Sequence, residues 1–357
     1  MLNSSSPACS SHPVESLEQR FMLSAPRITS IVADNRGLVV LTLDQPLNPA
    51  TVNTRSAGIY TNAAGKDRKV KSSVSISADN KQITIGASFK PDTPYKIYLS
   101  SKQIKNAGGE ALDGEFVKAG KKTGNGKAGG DLLVQVKPAP TSKQIARFTT
   151  VMGNIDVRLL WSATPKTVQN FLSYANASTA GGDAQYTYDN TFIHRSIPGF
   201  VVQGGGFRVV PPGTVFDDTN IQQIPQHAPV VNEPHANAPG NIRGTIAMAK
   251  LGNDANSATN QWFFNLADNR ANLDNQNGGF TVFGTVTSKA GMAVLDKIAA
   301  LTALQTVDSS FANSVFSDLP LRDGAAVQAR GGTVVPNSDL VIVQRVAVLM
   351  NVSAAKK

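Results

Sequence analysis

Apolar residues in this chain fall into short runs separated by Gly, Pro, Asn and Asp, a spacing that suits strands better than long helices. Gly37-Leu-Val-Val-Leu-Thr-Leu-Asp44 is continuously apolar and β-branched, as in a buried sandwich strand. Lys81-Gln-Ile-Thr-Ile-Gly86 and Tyr95-Lys-Ile-Tyr-Leu-Ser100 alternate with period two, so each strand presents one side to a core. Turn signals stand between and after them at Asp79-Asn80, Pro91-Asp92 and Asn106-Ala-Gly-Gly109. No apolar run approaches the roughly 18 residues that a membrane-crossing helix requires, so an integral membrane protein is not expected.

The 357 residues suffice for two or three domains. With 41% hydrophobic and 17% charged residues, the chain can bury a sizeable core, which excludes disorder throughout. Its net charge of +9 permits attraction to anionic surfaces. Lys121, Lys122 and Lys127, however, sit in a Gly-rich stretch without interleaved aromatics, so no nucleic-acid partner is expected. Cys9 is the single cysteine, which removes intrachain disulfides and cysteine-based zinc sites from consideration.

Four segments follow from composition. Residues 1–25, rich in Ser and Pro, read as a flexible tail without the apolar core of a signal peptide. Either the protein is cytoplasmic or the numbering begins after a removed signal. Ala8-Cys9-Ser10-Ser11 is similar to the end of a bacterial lipoprotein signal without its hydrophobic stretch, so the tail is a candidate for envelope attachment, although an inert cysteine is the simpler reading. Residues 26–118 read as a β-sandwich. They resemble a bacterial immunoglobulin-like domain in Asp44-Gln-Pro-Leu-Asn-Pro-Ala-Thr-Val52, Lys90-Pro-Asp-Thr-Pro-Tyr95 and Ile104-Lys-Asn-Ala-Gly-Gly-Glu-Ala-Leu112. Residues 119–142 read as a Gly/Lys/Pro linker, in which Lys121, Lys122 and Lys127 keep a tether solvated.

Residues 143–352 open with two strands joined by a Gly153-Asn154 turn. A helix follows, with Thr164 as cap, Pro165 in the first turn, and Val168, Phe171 and Leu172 on one face. A second helix is expected near Gly291–Leu301, and further strands at Thr281–Thr287 and Asp339–Leu349. Two helices among many strands suggest a mainly β fold, a closed barrel capped at its ends. The four histidines, His12, His194, His227 and His235, lack metal-binding spacing. No nucleophile elbow or Walker loop occurs. Gly204-Gly205-Gly206 suits a tight strand bend better than a phosphate cradle.

Two stretches carry the remaining information. One is Phe192-Ile-His-Arg-Ser-Ile-Pro-Gly-Phe-Val-Val-Gln-Gly-Gly-Gly-Phe207. The other begins at Gly244-Thr-Ile-Ala-Met-Ala249 and continues through Asn260-Gln-Trp-Phe-Phe264 and Leu273 to Phe280-Thr-Val-Phe-Gly284. In these motifs the segment resembles a cyclophilin-type peptidyl-prolyl cis–trans isomerase, most like bacterial members, with an insertion near 303–337. The resemblance implies that Arg195 is the catalytic arginine and that Gln203 binds substrate backbone while steadying it. It implies a proline pocket of Phe200, Val201, Phe263, Leu273 and Phe280, and a peptide groove along Ala249, Lys250 and Gln261. Phe192, Trp262, Phe264 and Phe283 are assigned to the core, because their neighbours in the alternation face the pocket. Asn272 stands at the pocket edge where the family commonly has Trp or Phe, so cyclosporin binding is expected to be weak. Val201 replaces a common Met, and Phe280 stands where many eukaryotic relatives carry His.

These residues suit the chemistry. An X–Pro bond rotates slowly because amide resonance raises a barrier of about 18–20 kcal/mol. Lowering it calls for an apolar slot for the ring and a fixed cation that favours the twisted amide, with no cofactor, metal or covalent intermediate. The expected partners are proline-containing extended or unfolded polypeptides, bound by a monomer, and the expected location is the bacterial envelope, periplasmic rather than cytoplasmic. Two other readings stay open: a proline-binding or chaperone-like module with vestigial activity, and an envelope protein working by adhesion through residues 26–118.

Overall fold

The computed structural model describes residues 24–63, 66–90, 92–177, 184–210, 220–233, 238–304, 316, 318–329 and 335–355. Most of the expected tail, with Cys9 and His12, lies outside them, as do His235 and much of the expected 303–337 insertion. The described residues are mainly β with few helices and divide into two compact units.

The first unit holds strands β1 (Ile28–Ala33), β2 (Leu38–Leu43), β3 (Ala57–Ala63), β4 (Lys66–Lys69), β5 (Ser72–Ile76), β6 (Gln82–Ala87), β7 (Tyr95–Leu99) and β8 (Leu132–Lys137). All pairings are antiparallel. One sheet has the order β1-β2-β6-β5. The other combines β8, β7, β3 and β4 with a strand from the far end of the chain, Asn351–Ala354, which pairs Val352 with Val136. The alternation read from sequence is realised in β6 and β7, where Ile83, Ile85, Ile97 and Leu99 are fully buried. The run expected to be buried throughout, β2, alternates as well: Val39 and Leu41 are fully buried, while Leu38 and Val40 are only partly so, because one side of this sheet does not face the core. Residues 119–142, expected as a linker throughout, contain β8. Leu132, Val134 and Val136 are completely buried, and this period-two apolar signal is masked by the glycines and lysines before it.

The second unit contains β9 (Ile145–Thr150), β10 (Gly153–Leu159), β11 (Thr191–Phe192), β12 (Arg195–Ile197), β13 (Val201–Gly204), β14 (Phe207–Val209), β15 (Ile221–Gln223), β16 (Thr245–Met248), β17 (Trp262–Asn265), β18 (Val282–Val286), β19 (Thr302–Leu304), β20 (Leu319–Leu321) and β21 (Ile342–Val348). The C-terminal strand Asn351–Ala354 is β22. Helices are α1 (Pro165–Ala175), α2 (Arg270–Leu273), α3 (Lys289–Ala299) and α4 (Gly324–Ala329). Eleven strands form one curled antiparallel sheet in the order β12-β13-β17-β16-β18-β10-β9-β21-β11-β14-β15. Its ends, β12 and β15, are not paired with each other among the described residues, so the sheet is a half-barrel where a closed barrel was expected.

Local chemistry explains the helix positions. Pro165 occupies the first turn of α1, where a missing N–H costs nothing. Thr164 sits at the N-cap position, but its hydroxyl points back towards the Leu160 and Val282 carbonyls at 3.4 Å. The cap comes instead from Glu233, whose carboxylate accepts from the Lys166 and Thr167 amides at 3.2 and 2.7 Å. Helix α3 starts earlier than the periodicity suggests, because Ser288 accepts from the Gly291 amide. Between β9 and β10 the turn is Val151-Met152 and not Gly153-Asn154. Thr150 pairs directly with Gly153, and the Thr150 hydroxyl accepts from the Met152 amide. Gly153 opens β10 at φ +128°, a conformation that favours glycine.

The inner face of the half-barrel packs Phe148, Val202, Trp262, Phe264, Ile246 and Phe283 against Phe171 of α1 and Leu295 and Ile298 of α3. Phe192 is also buried, but in a separate cluster with Phe316, Leu319 and Leu321 from the segment expected as an insertion.

Candidate active site

Strand register places the site on the opposite face of that sheet. Arg195 pairs with Gln203, Gln203 with Phe263, Phe263 with Ala247, and Ala247 with Val282. These five residues form one transverse row across β12, β13, β17, β16 and β18. The neighbouring row, Ser196, Val202, Phe264 and Ile246, points the other way, into the core. Alternation therefore sorts the aromatic pair Phe263-Phe264 between two environments: Phe264 belongs to the inner core and Phe263 to a smaller apolar cluster.

That smaller cluster contains Val201, Ala247, Phe263, Leu273 and Val282, with Leu160, Phe200, Ala249 and Phe280 partly buried against it. All five residues expected for a proline pocket are thus gathered, although they lie far apart in sequence. Phe263 and Phe280 meet edge to face, with centroids 5.7 Å apart and planes at 71°. The Phe200 carbonyl accepts from the Leu266 amide and from Asn269 Nδ2 at 2.8 and 2.9 Å, which fixes the segment before β13. The Phe280 amide donates to the Leu273 carbonyl, tying two walls of the cluster together.

Lys250 reaches over this wall. Its Nζ donates to the carbonyls of Asn277 and Gly279 at 2.8 and 2.6 Å and stands 4.8 Å from the Phe280 ring centroid. Partial burial holds its pKa below the usual lysine range, with Asp254 opposing the shift. Ala249 donates through its amide to the Gln261 carbonyl, so the expected groove residues sit on adjacent chain segments. Asn272 is exposed on α2 and does not belong to the apolar cluster.

The polar end of the row differs in detail from expectation. Gln203 Nε2 donates to Gln261 Oε1 at 3.0 Å, so these two amides orient one another. Arg195 instead donates from Nε to Asp318 Oδ2 at 3.3 Å, and Asp318 comes from the segment expected as an insertion. Sequence reasoning missed Asp318, because nothing in its neighbourhood marks it as chemical.

Next to Arg195, His194 is fully buried, with Phe207 edge-on at 5.0 Å. Burial first, and the Arg195 charge second, push its pKa down to about 3, while the Gln261 side chain offsets part of the shift. The ring is therefore a neutral packing element. The glycine triplet serves close approach: at Gly205, φ is +85°, and a Cβ would come within 2.6 Å of Trp262 Nε1 and 2.7 Å of the Asn260 carbonyl oxygen. Among the described residues, no three His, Cys, Asp or Glu side chains gather as metal ligands.

Comparison with known proteins covers this unit. The family described as cyclophilin type peptidyl-prolyl cis-trans isomerase/CLD matches residues 145–315. A peptidyl-prolyl cis-trans isomerase of Acinetobacter baylyi is 39% identical over 156 residues, which is 43% of this chain and 71% of the relative. Peptidyl-prolyl cis-trans isomerase A of Dickeya dadantii is 40% identical over 162 residues, 45% of this chain and 73% of the relative. Peptidyl-prolyl cis-trans isomerase B of Escherichia coli is 37% identical over 155 residues, 42% of this chain and 81% of the relative. With matches of this identity spanning more than two thirds of each relative, the chain belongs to the cyclophilin-type peptidyl-prolyl cis–trans isomerases.

Proposed function

We propose that the chain accelerates rotation about X–Pro bonds in extended polypeptides, with Arg195 as the charged group and the Phe200–Val201–Phe263–Leu273–Phe280 cluster receiving the proline ring. The observation that carries this reading is the single row in which Arg195, Gln203 and Phe263 follow one another across three strands. A ring seated on Phe263 lies beside a guanidinium that is permanently charged and offers a planar fork of donors. As the bond twists, the prolyl nitrogen loses conjugation and gains a lone pair, and a donor directed at it lowers the energy of the twisted state relative to the planar ones. Gln203 and Gln261, held to each other, supply amide groups to the substrate backbone. Ala249 and Lys250 line the approach of the extended chain.

The first unit, with its two antiparallel sheets, is in our reading an immunoglobulin-like arm that spaces or presents clients. The bacterial relatives and this arm together favour the cell envelope as the place of work. The test is the isomerisation rate of a proline tetrapeptide with the full chain and with Arg195→Ala. Acceleration lost in the variant supports the reading, and an absence of acceleration by the unaltered chain overturns it.

A further inference from the structure

We propose that Asp318, supplied by the segment expected as an insertion, is a positioning residue that holds the Arg195 guanidinium in its working orientation. The inference rests on the isomerase reading of Arg195 and adds a partner that lies beyond residues 145–315, the stretch matching the family.

Two contacts fix Asp318 against β12. Its carbonyl accepts from the Ser196 amide at 2.8 Å, and its carboxylate accepts from Arg195 Nε at 3.3 Å. On either side, Phe316 and Leu319 are buried with Phe192 and Val209, so the residue is held by packing as well as by hydrogen bonds. Leu319 opens β20 and pairs with Leu304 of β19. The carboxylate is thus carried on an anchored segment and not on a free loop end.

Geometry sets its role. Asp318 engages Nε, the inner edge of the guanidinium, and among the described residues the two Nη groups remain for a substrate. Gln203, the other polar neighbour in the row, is committed to Gln261. Both side chains of the pair are about one third exposed, at 34% and 36%, so water screens the attraction and the effect of losing it is moderate. An arginine released from Nε can sample more rotamers, and fewer of them aim its charge at the prolyl nitrogen.

The experiment is a double-mutant cycle on the full chain, with kcat and KM measured on a proline tetrapeptide and folding checked by thermal melting. Asp318→Ala and Asp318→Asn are expected to lower kcat about three- to tenfold with KM within twofold, and Asp318→Glu to recover at least half of the loss. In the Arg195→Ala background, Asp318→Ala is expected to change nothing further. Unchanged or raised kcat in Asp318→Ala and Asp318→Asn overturns the positioning role, as does an equal further loss in the Arg195→Ala background. Should Arg195→Ala itself leave turnover intact, the isomerase reading of Arg195 fails, and this inference with it.

Discussion

Gln203 and Phe263 are direct cross-strand partners on β13 and β17, so a hydrogen-bonding amide and an aromatic ring stand side by side on one face of the sheet. Arg195 completes the row from β12. A polar end continuous with an apolar slot is the arrangement that a tertiary amide requires: a ring to bury and a nitrogen to polarise.

Arg195→Ala is expected to lower kcat/KM by roughly 10²–10³-fold, the scale seen when one transition-state donor is removed. Arg195→Lys should restore little, because an ammonium lacks the planar fork. Thermal midpoints of all three proteins should agree within a few degrees, since the side chain is partly exposed and outside the apolar clusters. Exchange NMR on a proline peptide measures the first quantity and calorimetry the second.

Lys250→Ala removes the donor to the Asn277 and Gly279 carbonyls and the cation above Phe280. The loop carrying Phe280 should loosen, raising KM several-fold while kcat changes less. Stability should fall by about 1 kcal/mol, the scale for depriving partly buried carbonyls of a donor that water can in part replace. Substrate titration and urea unfolding separate the two effects.

Glu233→Ala leaves the first amides of α1 without their acceptor. A loss of about 1–2 kcal/mol in unfolding free energy is expected, as for other helix caps. Turnover should be unaltered, because neither Glu233 nor the α1 terminus belongs to the candidate site. Unfolding by denaturant, followed in parallel with the peptide assay, checks both outcomes.

His194 sets a pH dependence. In the unfolded chain an ordinary imidazole takes up a proton near 6.5, whereas the buried ring resists until about 3. Between those values the unfolded state binds more protons. Its contribution to stability is therefore intact above about 6.5 and is lost as pH falls towards 3, by at most about 1.4 kcal/mol per pH unit. Denaturant midpoints measured from pH 7 to pH 4 should show this slope, and His194→Gln should flatten it. An identical slope in the variant would assign the acid sensitivity elsewhere.

The candidate pocket came from the resemblance, and its residues gather in one apolar cluster; alternation added which of the neighbouring aromatics face the core. Resemblance assigns Phe263 to the pocket and alternation then assigns Phe264 to the core, and the ladder puts them on opposite faces. Arg195, Gln203 and Phe200 came from an ordered motif whose spacing the β12–β13 ladder makes sense of. Features created by distant chain segments were not legible. Glu233 caps a helix 66 residues away from Thr167, and Asp318 reaches an arginine 123 residues earlier. Neither has a local signature. β8 was overlooked for a different reason: a strand of six residues follows a Gly/Lys-rich stretch, and composition averaged over the whole span hides its alternation. Asn272, aligned with a pocket position by resemblance, lies exposed on the short helix α2, because Leu273 is the residue of that turn that faces the cluster.

The strand Asn351–Ala354 has an implication for biogenesis. It pairs with β8 along Val352–Val136, so an outer rung of the first unit's sheet is made long after the strand it joins. While the ribosome is still translating the intervening residues, that flank of β8 lacks its partner strand and its backbone groups stay unpaired on one side. Removing Asn351–Ala354 would make that exposure permanent, so four residues decide whether this sheet keeps its fifth strand.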